Sequence, residues 1–410
     1  MTKPTEQNHS EQLNRREIRS RDLAVVELEM PASHPEIRSV QSAGHIGLPT
    51  AVATTLGHHA EPFRTCCAGK FGRIEIVIVP AVHASKNVAI TIDPAVIQGI
   101  LQQRFSQVDI TTITHQSDLD ALAQRKPDLV FSGVKYFHFD DQILWLNEFL
   151  DQHHISYIGS AKKALDREYD KTIAKELVQR AGLTTARYTT AHPSEPLANL
   201  PKGMHFPVFI KPSNCGDSIG IDDASLAHHP SSMQLKIQQL FDAFNCDVLV
   251  EQYLPGNEYS IGIIEHESTK ALTAMPIEIR AQKNTHGHRI LDFQTKQNDK
   301  EEVLPVLNQV IHKKLSDLGK SVFQVLGGSS FGRIDVRMCA SGVPHFIEAN
   351  LMPGLKKGYF YRACALNLGM SYEQMIIGLA ENRITSPPQM PPVQKPKQAR
   401  ASVTQVVQPF

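Results

Sequence analysis

Residues Phe331–Lys357 read FGRIDVRMCASGVPHFIEANLMPGLKK. Alternation over Gly332–Met338 predicts a half-buried strand, Ser341-Gly342 a turn, and His345–Glu348 the start of a second strand. Residues two apart on a strand share a face. Arg333 and Asp335 therefore point one way, and Glu348 and Asn350 share a face if the second strand runs that far. A hairpin that aims two carboxylates, an amide oxygen and a guanidinium into one space is costly unless a cation or an anionic ligand fills it. Hard oxygen donors of this kind suit Mg²⁺ held with the help of substrate phosphates.

The totals around this hairpin exclude several function classes. Lys plus Arg equals Asp plus Glu, 42 each, so no global charge points to nucleic acid or an anionic membrane. The 410 residues predict two or three domains, and no apolar run reaches the ~20 residues of a membrane span. The polar N-terminus lacks the apolar core of a secretory signal, which predicts a cytoplasmic protein. The six cysteines (Cys66, Cys67, Cys215, Cys246, Cys339, Cys364) show no CxxC spacing and read as reduced thiols. None of the adjacent histidine pairs has helical zinc spacing, and they read as surface residues.

Upstream, residues 1–22 are polar and read as disordered, and 23–70 show no clear period, so 1–70 is expected to be a partly disordered N-terminal extension. From 71 onward strands and helices alternate. Strands are predicted at Arg73–Pro80, Val108–Ile113, Asp128–Ser132 and Ser156–Ile158, and helices at Asp93–Phe105, Ser117–Gln124 and Asp141–His153. That order argues for a parallel sheet with crossover helices. A helix over Ala161–Ala181 follows, with Gly182 at its C-terminal end. Strands are expected at Arg187–Thr190, Phe206–Lys211, Cys246–Gln252, Glu258–Ile264 and Lys270–Ile279, and helices at Pro230–Phe244, Pro305–Leu326 and Tyr372–Glu381. His286–Lys300 reads as a polar loop over a site. Residues 384–410 are rich in proline and are expected to be disordered or extended.

Two further stretches carry chemistry. Lys211–Gly220 (KPSNCGDSIG) follows a strand, and its small residues and two glycines let backbone N–H groups approach an anion. It does not have Walker spacing, no helix pattern starts immediately after Ser218, and such a loop taken alone is more often a plain turn than a phosphate cradle. Glu251-Gln252-Tyr253-Leu254 ends one strand and Glu258 begins the next; this edge suits a flat purine and a ribose, or is an ordinary hairpin with surface carboxylates.

The order of these pieces resembles the ATP-grasp superfamily, within it the D-alanine–D-alanine ligase branch, over about residues 128–383. The motifs that carry the resemblance are Tyr157-Ile158-Gly159-Ser160, Asp170-Lys171, Phe206 through Pro212, Gly216–Gly220, Val250-Glu251 through Glu258, Asp292–Lys296, Gly332–Val336, and Glu348-Ala349-Asn350 through Gly354. The resemblance implies an α/β (α+β) ATP-grasp fold of three subdomains, with ATP held between two α+β subdomains. Its parts would be an N-terminal α/β domain at 71–160, a central subdomain at 161–265 and a C-terminal subdomain at 266–383.

The resemblance also implies an ATP-dependent carboxylate–amine ligase that joins small amino-acid-like substrates through an acyl phosphate. It acts without nucleic acid or membrane, and a homodimer is compatible with it. Lys171 and Lys211 would contact the phosphates, and Gly216, Ser218 and Gly220 would close over them. Glu251, Gln252, Tyr253 and Leu254 would hold adenine, and Glu258 the ribose. Asp335, Glu348 and Asn350 would bind two Mg²⁺ ions, with Mn²⁺ as an alternative. Arg333 would steady the acyl phosphate, with Lys296 and Ser218 also catalytic. The alternatives are the same fold with a hydroxyl, thiol or intramolecular amine as nucleophile, and a non-catalytic nucleotide-binding protein. The sequence departs from the family where amino acids bind: Asp217 replaces a serine, Gln297 a tyrosine, and Leu355–Phe360 small hydroxyl residues. Asp217, Lys356, Lys357 and Tyr359 are therefore the candidate substrate residues.

Overall fold

The computed structural model describes residues 72–81, 89–139, 142–195, 197–214, 216, 218–284, 287–291 and 300–384. The chain divides at Thr50/Ala51, and every described residue lies in the second unit. The expected extension at 1–70 and the tail beyond 384 lie outside the described residues, as do Cys66, Cys67, Cys215, Asp217, Lys296 and Gln297.

Strand β1 (Arg73–Ile78), helix α1 (Pro94–Leu101), β2 (Gln107–Thr112), α2 (Gln116–Arg125) and β3 (Leu129–Ser132) alternate. The strands pair in parallel in the order β2-β1-β3. Ile74, Ile76, Val77, Leu129, Val130 and Phe131 are all fully buried, as parallel strands covered on both faces require. Asp93 caps α1, accepting from the Val96 amide at 3.1 Å, and Pro94 opens its first turn.

The single helix expected over Asp141–His153 is not formed. Tyr136–Phe139 (β4) and Gln142–Trp145 (β5) make an antiparallel hairpin, and helix α3 starts only at Leu146 and ends at Gln152. Aromatic pairing overrides the helical pattern: Tyr136 lies directly across from Trp145 with ring centroids 5.0 Å apart, and Phe137 stacks on Phe139 at 5.5 Å. Ser156–Ile158, expected as a strand, contributes one parallel bridge, from Tyr157 to Val130.

The helix expected over Ala161–Ala181 is two helices, α4 (Lys162–Tyr169) and α5 (Lys171–Arg180). Asp170 between them is extended, and its carboxylate accepts from Thr172 N (2.8 Å) and Ile173 N (3.3 Å). A cap of this type stabilises by about 1 kcal/mol, enough to favour a break here over a continuous helix of modest propensity.

β6 (Tyr188–Ala191), β7 (Val208–Pro212), β8 (Leu226–Ala227) and β9 (Val248–Gln252) form an antiparallel sheet in the order β6-β9-β7-β8, covered by α6 (Pro230–Phe244). β10 (Glu258–Glu265), β11 (Leu272–Arg280), β12 (Glu302–Pro305), β13 (Phe331–Met338) and β14 (Pro344–Asn350) form another, in the order β12-β11-β10-β13-β14. Helices α7 (Gln309–Leu326), α8 (Tyr359–Leu368) and α9 (Tyr372–Ile384) complete the described chain. β12 and α8 are absent from the sequence expectation. α7 begins at Gln309 rather than Pro305, because Leu304-Pro305 end β12 and Asn308 caps the helix through Val310 N and Ile311 N. α8 carries no side-chain cap, so its start leaves no signal in the sequence. α9 returns to the first sheet, where Glu381 pairs with Arg104 and Arg383 Nε donates to the Tyr157 carbonyl at 2.9 Å.

The two faces of β13 meet different helices. Phe331 packs on Phe360 of α8, with ring centroids 5.2 Å apart, while Gly332 lies under Phe323 of α7. A Cβ on Gly332 would stand 2.7 Å from Phe323 Cε2, and that ring is fully buried. Gly332→Ala should therefore destabilise the fold by about 1–3 kcal/mol through overpacking. Urea denaturation compared with wild type checks this, and an unchanged midpoint would show that α7 gives way freely.

Candidate active site

The register of the larger antiparallel sheet gathers the site. Ser260 on β10 lies opposite Asp335 on β13, which lies opposite Glu348 on β14; in the next row stand Gly262, Arg333 and Asn350. Cross-strand partners share a face, so the hairpin's charged groups converge as the alternation predicts. Ser260 Oγ donates to Asp335 Oδ1 at 2.7 Å, and Arg333 forks the same carboxylate through Nε (3.0 Å) and Nη2 (2.9 Å). Burial would pull the Arg333 guanidinium down, but Asp335 and Glu348 beside it hold it above its ordinary range.

Between Glu348 and Phe346 the register slips, leaving Ile347 without a partner opposite the Asp335–Val336 step. A regular strand sends neighbours to opposite faces. The bulge re-aims them, and Ile347 and Glu348 both border the same cleft.

Helix α5 supplies lysines from one face. Lys171 and Lys175 are four apart and so point the same way. Lys171 Nζ reaches Glu348 Oε2 at 3.8 Å. Lys175, fully buried, reaches Glu251 Oε1 at 2.6 Å and Thr185 Oγ1 at 2.9 Å. Lys211 on β7 takes the other oxygen of Glu251 at 3.2 Å. Burial would raise the Glu251 carboxyl, but Lys175 and Lys211 together hold it below its usual range. Burial, with Lys211 as a second cation, brings Lys175 down to about 8.

Three clefts meet at these residues. The first is bordered by Lys171, Asn214, Gly216, Arg333, Glu348 and Asn350. The second is bordered by Thr91, Glu301, Arg333, Asn350, Lys356 and Tyr359. The third has apolar walls from Phe209, Ile221, Leu254, Ile290 and Ile347, with Lys211, Ser218, Glu251, Glu258 and Asp335 among its polar groups. Arg333 and Asn350 border the first two, and Glu348 borders the first and third. Asn350 Oδ1 is buried and has no hydrogen-bond partner among the described residues.

Some expected residues take different positions. Gln252 borders the third cleft, but its side chain accepts from His205 N and donates to the His205 and Pro207 carbonyls. The amides of Gln252 and Tyr253 donate to Arg187 O (2.8 Å) and Pro207 O (3.3 Å). Ser218 Oγ donates to Leu291 O at 2.9 Å, tying the glycine loop to a residue within the expected polar loop. Gly220, at φ +77°, is the last residue of the glycine loop, and a Cβ there would stand within 3.0 Å of Leu240, Phe244 and Pro212. Lys356 and Tyr359 border the second cleft, whereas Lys357 sits over the Tyr372 ring at 5.6 Å.

Sequence reasoning missed three contributors. Lys175 was signalled by its spacing from Lys171 on an amphipathic helix. Arg337 continues the Arg333–Asp335 alternation and is the register partner of Glu258; it pairs with Glu258 at 3.2 Å and lies 5.2 Å from the Tyr253 ring centroid. Glu301, buried against the Tyr359 hydroxyl, had no local signal.

The D-Ala D-Ala ligase C-terminus family matches residues 177–381, half of the chain. The chain belongs to this D-Ala–D-Ala ligase family. The family relatives include a D-alanine–D-alanine ligase of Geobacter sulfurreducens, 28% identical over 226 residues, which are 54% of this chain and 67% of that one. The D-alanine–D-alanine ligase of Idiomarina loihiensis is 27% identical over 316 residues, 75% of this chain and 96% of its own. Among solved structures, the D-alanine–D-alanine ligase of Bacillus anthracis complexed with ATP superposes with a TM-score of 0.57 at 17% identity, covering 76% of this chain and 97% of that one. VanG D-Ala:D-Ser ligase of Enterococcus faecalis gives 0.57 at 17% identity, covering 77% and 100%. The fold is thus the ATP-grasp α/β architecture of the D-Ala–D-Ala ligases.

In this family member the lowered Lys175 has a consequence for stability. Between about 8 and its ordinary 10.5 the unfolded chain binds a proton that the folded chain has released, so stability rises with pH across that window. Relative to Lys175→Met, the wild type should gain stability as pH increases from about 8 toward 10.5. Urea midpoints of both proteins at several pH values check it, and a constant difference would place the ammonium in an unperturbed setting.

Proposed function

We propose that the chain is an ATP-dependent carboxylate–amine ligase, acting through an acyl phosphate on small amino-acid-like substrates. The observation that carries this reading is the meeting of three clefts at Arg333, Glu348 and Asn350. An apolar-walled cleft with an acidic rim suits a purine nucleoside, the cleft with Lys171 and Gly216 suits its phosphates, and the second cleft suits the acid and the amine. We assign the domains to 71–160, 161–265 and 266–383, with the nucleotide between the last two.

Magnitudes decide how the base is held. Removing one partner from a buried ion pair costs roughly 3–5 kcal/mol, whereas a neutral hydrogen bond contributes about 1 kcal/mol. Glu251 therefore keeps its lysines and does not turn to an adenine amino group. The base rests on the apolar walls and on the backbone around Leu254, and Glu258 receives the ribose hydroxyls. Lys171 and Lys211 neutralise the phosphates, and Gly216 and Ser218 lie in the loop that closes over them.

Asp335, Glu348 and Asn350 form the metal site. Their hard oxygens fit magnesium, and the unpartnered buried Asn350 Oδ1 is the atom such an ion would satisfy. Among the described residues no three His, Cys, Asp or Glu side chains cluster, so an amide is needed to complete the set. Asp335 accepts three hydrogen bonds from Arg333 and Ser260 and still offers about one lone pair, because a carboxylate has about four acceptor positions. Mg²⁺ supplies charge neutralisation for in-line phosphoryl transfer.

Arg333, placed between the phosphate and substrate clefts, stabilises charge on the transferring phosphoryl group and then on the acyl phosphate. Closure of the loops keeps water from the mixed anhydride. Lys296 and Asp217, outside the described residues, are assigned to the same closed site, Lys296 to catalysis and Asp217 to substrate.

Mg²⁺-ATP turnover against a matrix of amino acids and amines, with mass detection of products, tests the reading. Release of ADP and phosphate only when an acid and an amine are both present, with a mass equal to their sum less water, is the expected result. Asp335→Ala and Glu348→Ala should each lower kcat by about 100-fold or more, on the scale of removing one transition-state contact. Full activity in both would overturn the metal assignment. Asn350→Leu should raise the Mg²⁺ concentration needed for half-maximal rate by about 10-fold, measured by magnesium titration at saturating ATP.

A further inference from the structure

The charges of the second cleft are unequally matched. Lys135 is paired with Glu168 at 2.6 Å, Arg333 is forked onto Asp335, and Lys356, the remaining cation of the lining, is exposed to solvent. Glu301, the residue before β12, is 7% exposed. One of its oxygens receives the Tyr359 hydroxyl, and the other has no hydrogen-bond partner among the described residues. No cation pairs with it among the described residues. Tyr359 opens α8, and the Arg333 guanidinium lies 5.6 Å from its ring centroid. Burial and the adjacent Glu301 push the Tyr359 phenol well above its ordinary range, so it stays a donor.

A buried carboxylate facing a cleft, with only a hydroxyl for company among the described residues, is completed by a cation. We propose that Glu301 and Tyr359 form a specificity subsite for a substrate whose non-reacting end is cationic, an ammonium, amidinium or guanidinium. This rests on the ligase reading and names the class of molecule the second cleft takes. The reacting end of that substrate lies toward Arg333. Its cationic end sits against the free oxygen of Glu301, and the Tyr359 hydroxyl, held by the other oxygen, fixes the carboxylate's orientation. Tyr359 is the positioning residue and Glu301 the binding one. A substrate with a carboxylate at that end would meet like charge at close range and be rejected.

The test is a matched series of amino acids of equal chain length, in both stereochemical forms, ending in an ammonium, a methyl group or a carboxylate. Each is offered with the other substrate, and kcat/KM is read from ADP release with product mass as confirmation. The expected wild-type order is ammonium over methyl by at least 10-fold, with the carboxylate slowest. Glu301→Gln should bring the ammonium-to-methyl ratio toward one. Tyr359→Phe should shrink that ratio without inverting it, because the charge remains. A role confined to folding would lower all three substrates together and leave the ratio unchanged. Equal wild-type kcat/KM across the series, or a ratio unmoved by Glu301→Gln, would overturn the subsite while leaving the ligase reading intact. No ADP formation with any acid and amine would overturn the ligase reading and the subsite with it.

Discussion

The fork of Arg333 on Asp335 is the constraint to which the neighbouring structure answers. Two opposite charges lie inside a five-stranded sheet, where an unpaired charge would cost several kcal/mol. They are two apart on one strand, so they pair only if β13 stays extended between them, and Ser260 binds the same carboxylate only in one register of β10. A slip of one residue would turn Ile334 into the cleft and drive both charges into the α7 face. Electrostatic satisfaction and hydrophobic burial therefore select the same register, and that register aligns Glu348 and Asn350 with their partners.

Helix α5 connects this sheet to the other antiparallel one. Its break from α4 at Asp170 matters because it sets the phase of the helical face: Lys171 falls toward Glu348, and Lys175, one turn on, toward Glu251. Lys175 also makes contact with the Phe346 carbonyl at 3.5 Å, on the strand whose bulge re-aims Glu348. One buried lysine thus touches both sheets, at 2.6 Å on Glu251 and 3.5 Å on the Phe346 carbonyl. Two cations on one carboxylate also leave Glu251 unable to reorganise cheaply, which keeps the wall of the apolar cleft rigid.

The hairpin was legible because its information is local. Period-two alternation, one turn and two pairs of polar residues on one face suffice to place Arg333, Asp335, Glu348 and Asn350 together. Arg337 was legible by the same rule, one step further along β13. Where the sequence reading failed, distant partners decided the outcome. Tyr136–Trp145 formed a hairpin instead of a helix because aromatic rings meet across it, and β12 exists because β11 offers it an edge. The bulge at Ile347 leaves no trace in composition, yet it determines which neighbours line the cleft.

The proposed substrate subsite is the extreme case of this rule. Glu301 and Tyr359 are separated by 58 residues, one just before a strand and one opening an uncapped helix. Tyr359 is marked only by lying in the stretch Leu355–Phe360 that departs from the family, and Glu301 sits in no pattern that marks it. Their meaning arises only when α8 packs against the β12–β11 edge of the sheet. The residues proposed for nucleotide and metal must satisfy fixed charges and so fall in readable order along the chain. A substrate pocket need satisfy only its own ligand, and it is assembled from whatever the fold brings near, which is why the chemistry of this chain is easier to read from its sequence than its specificity.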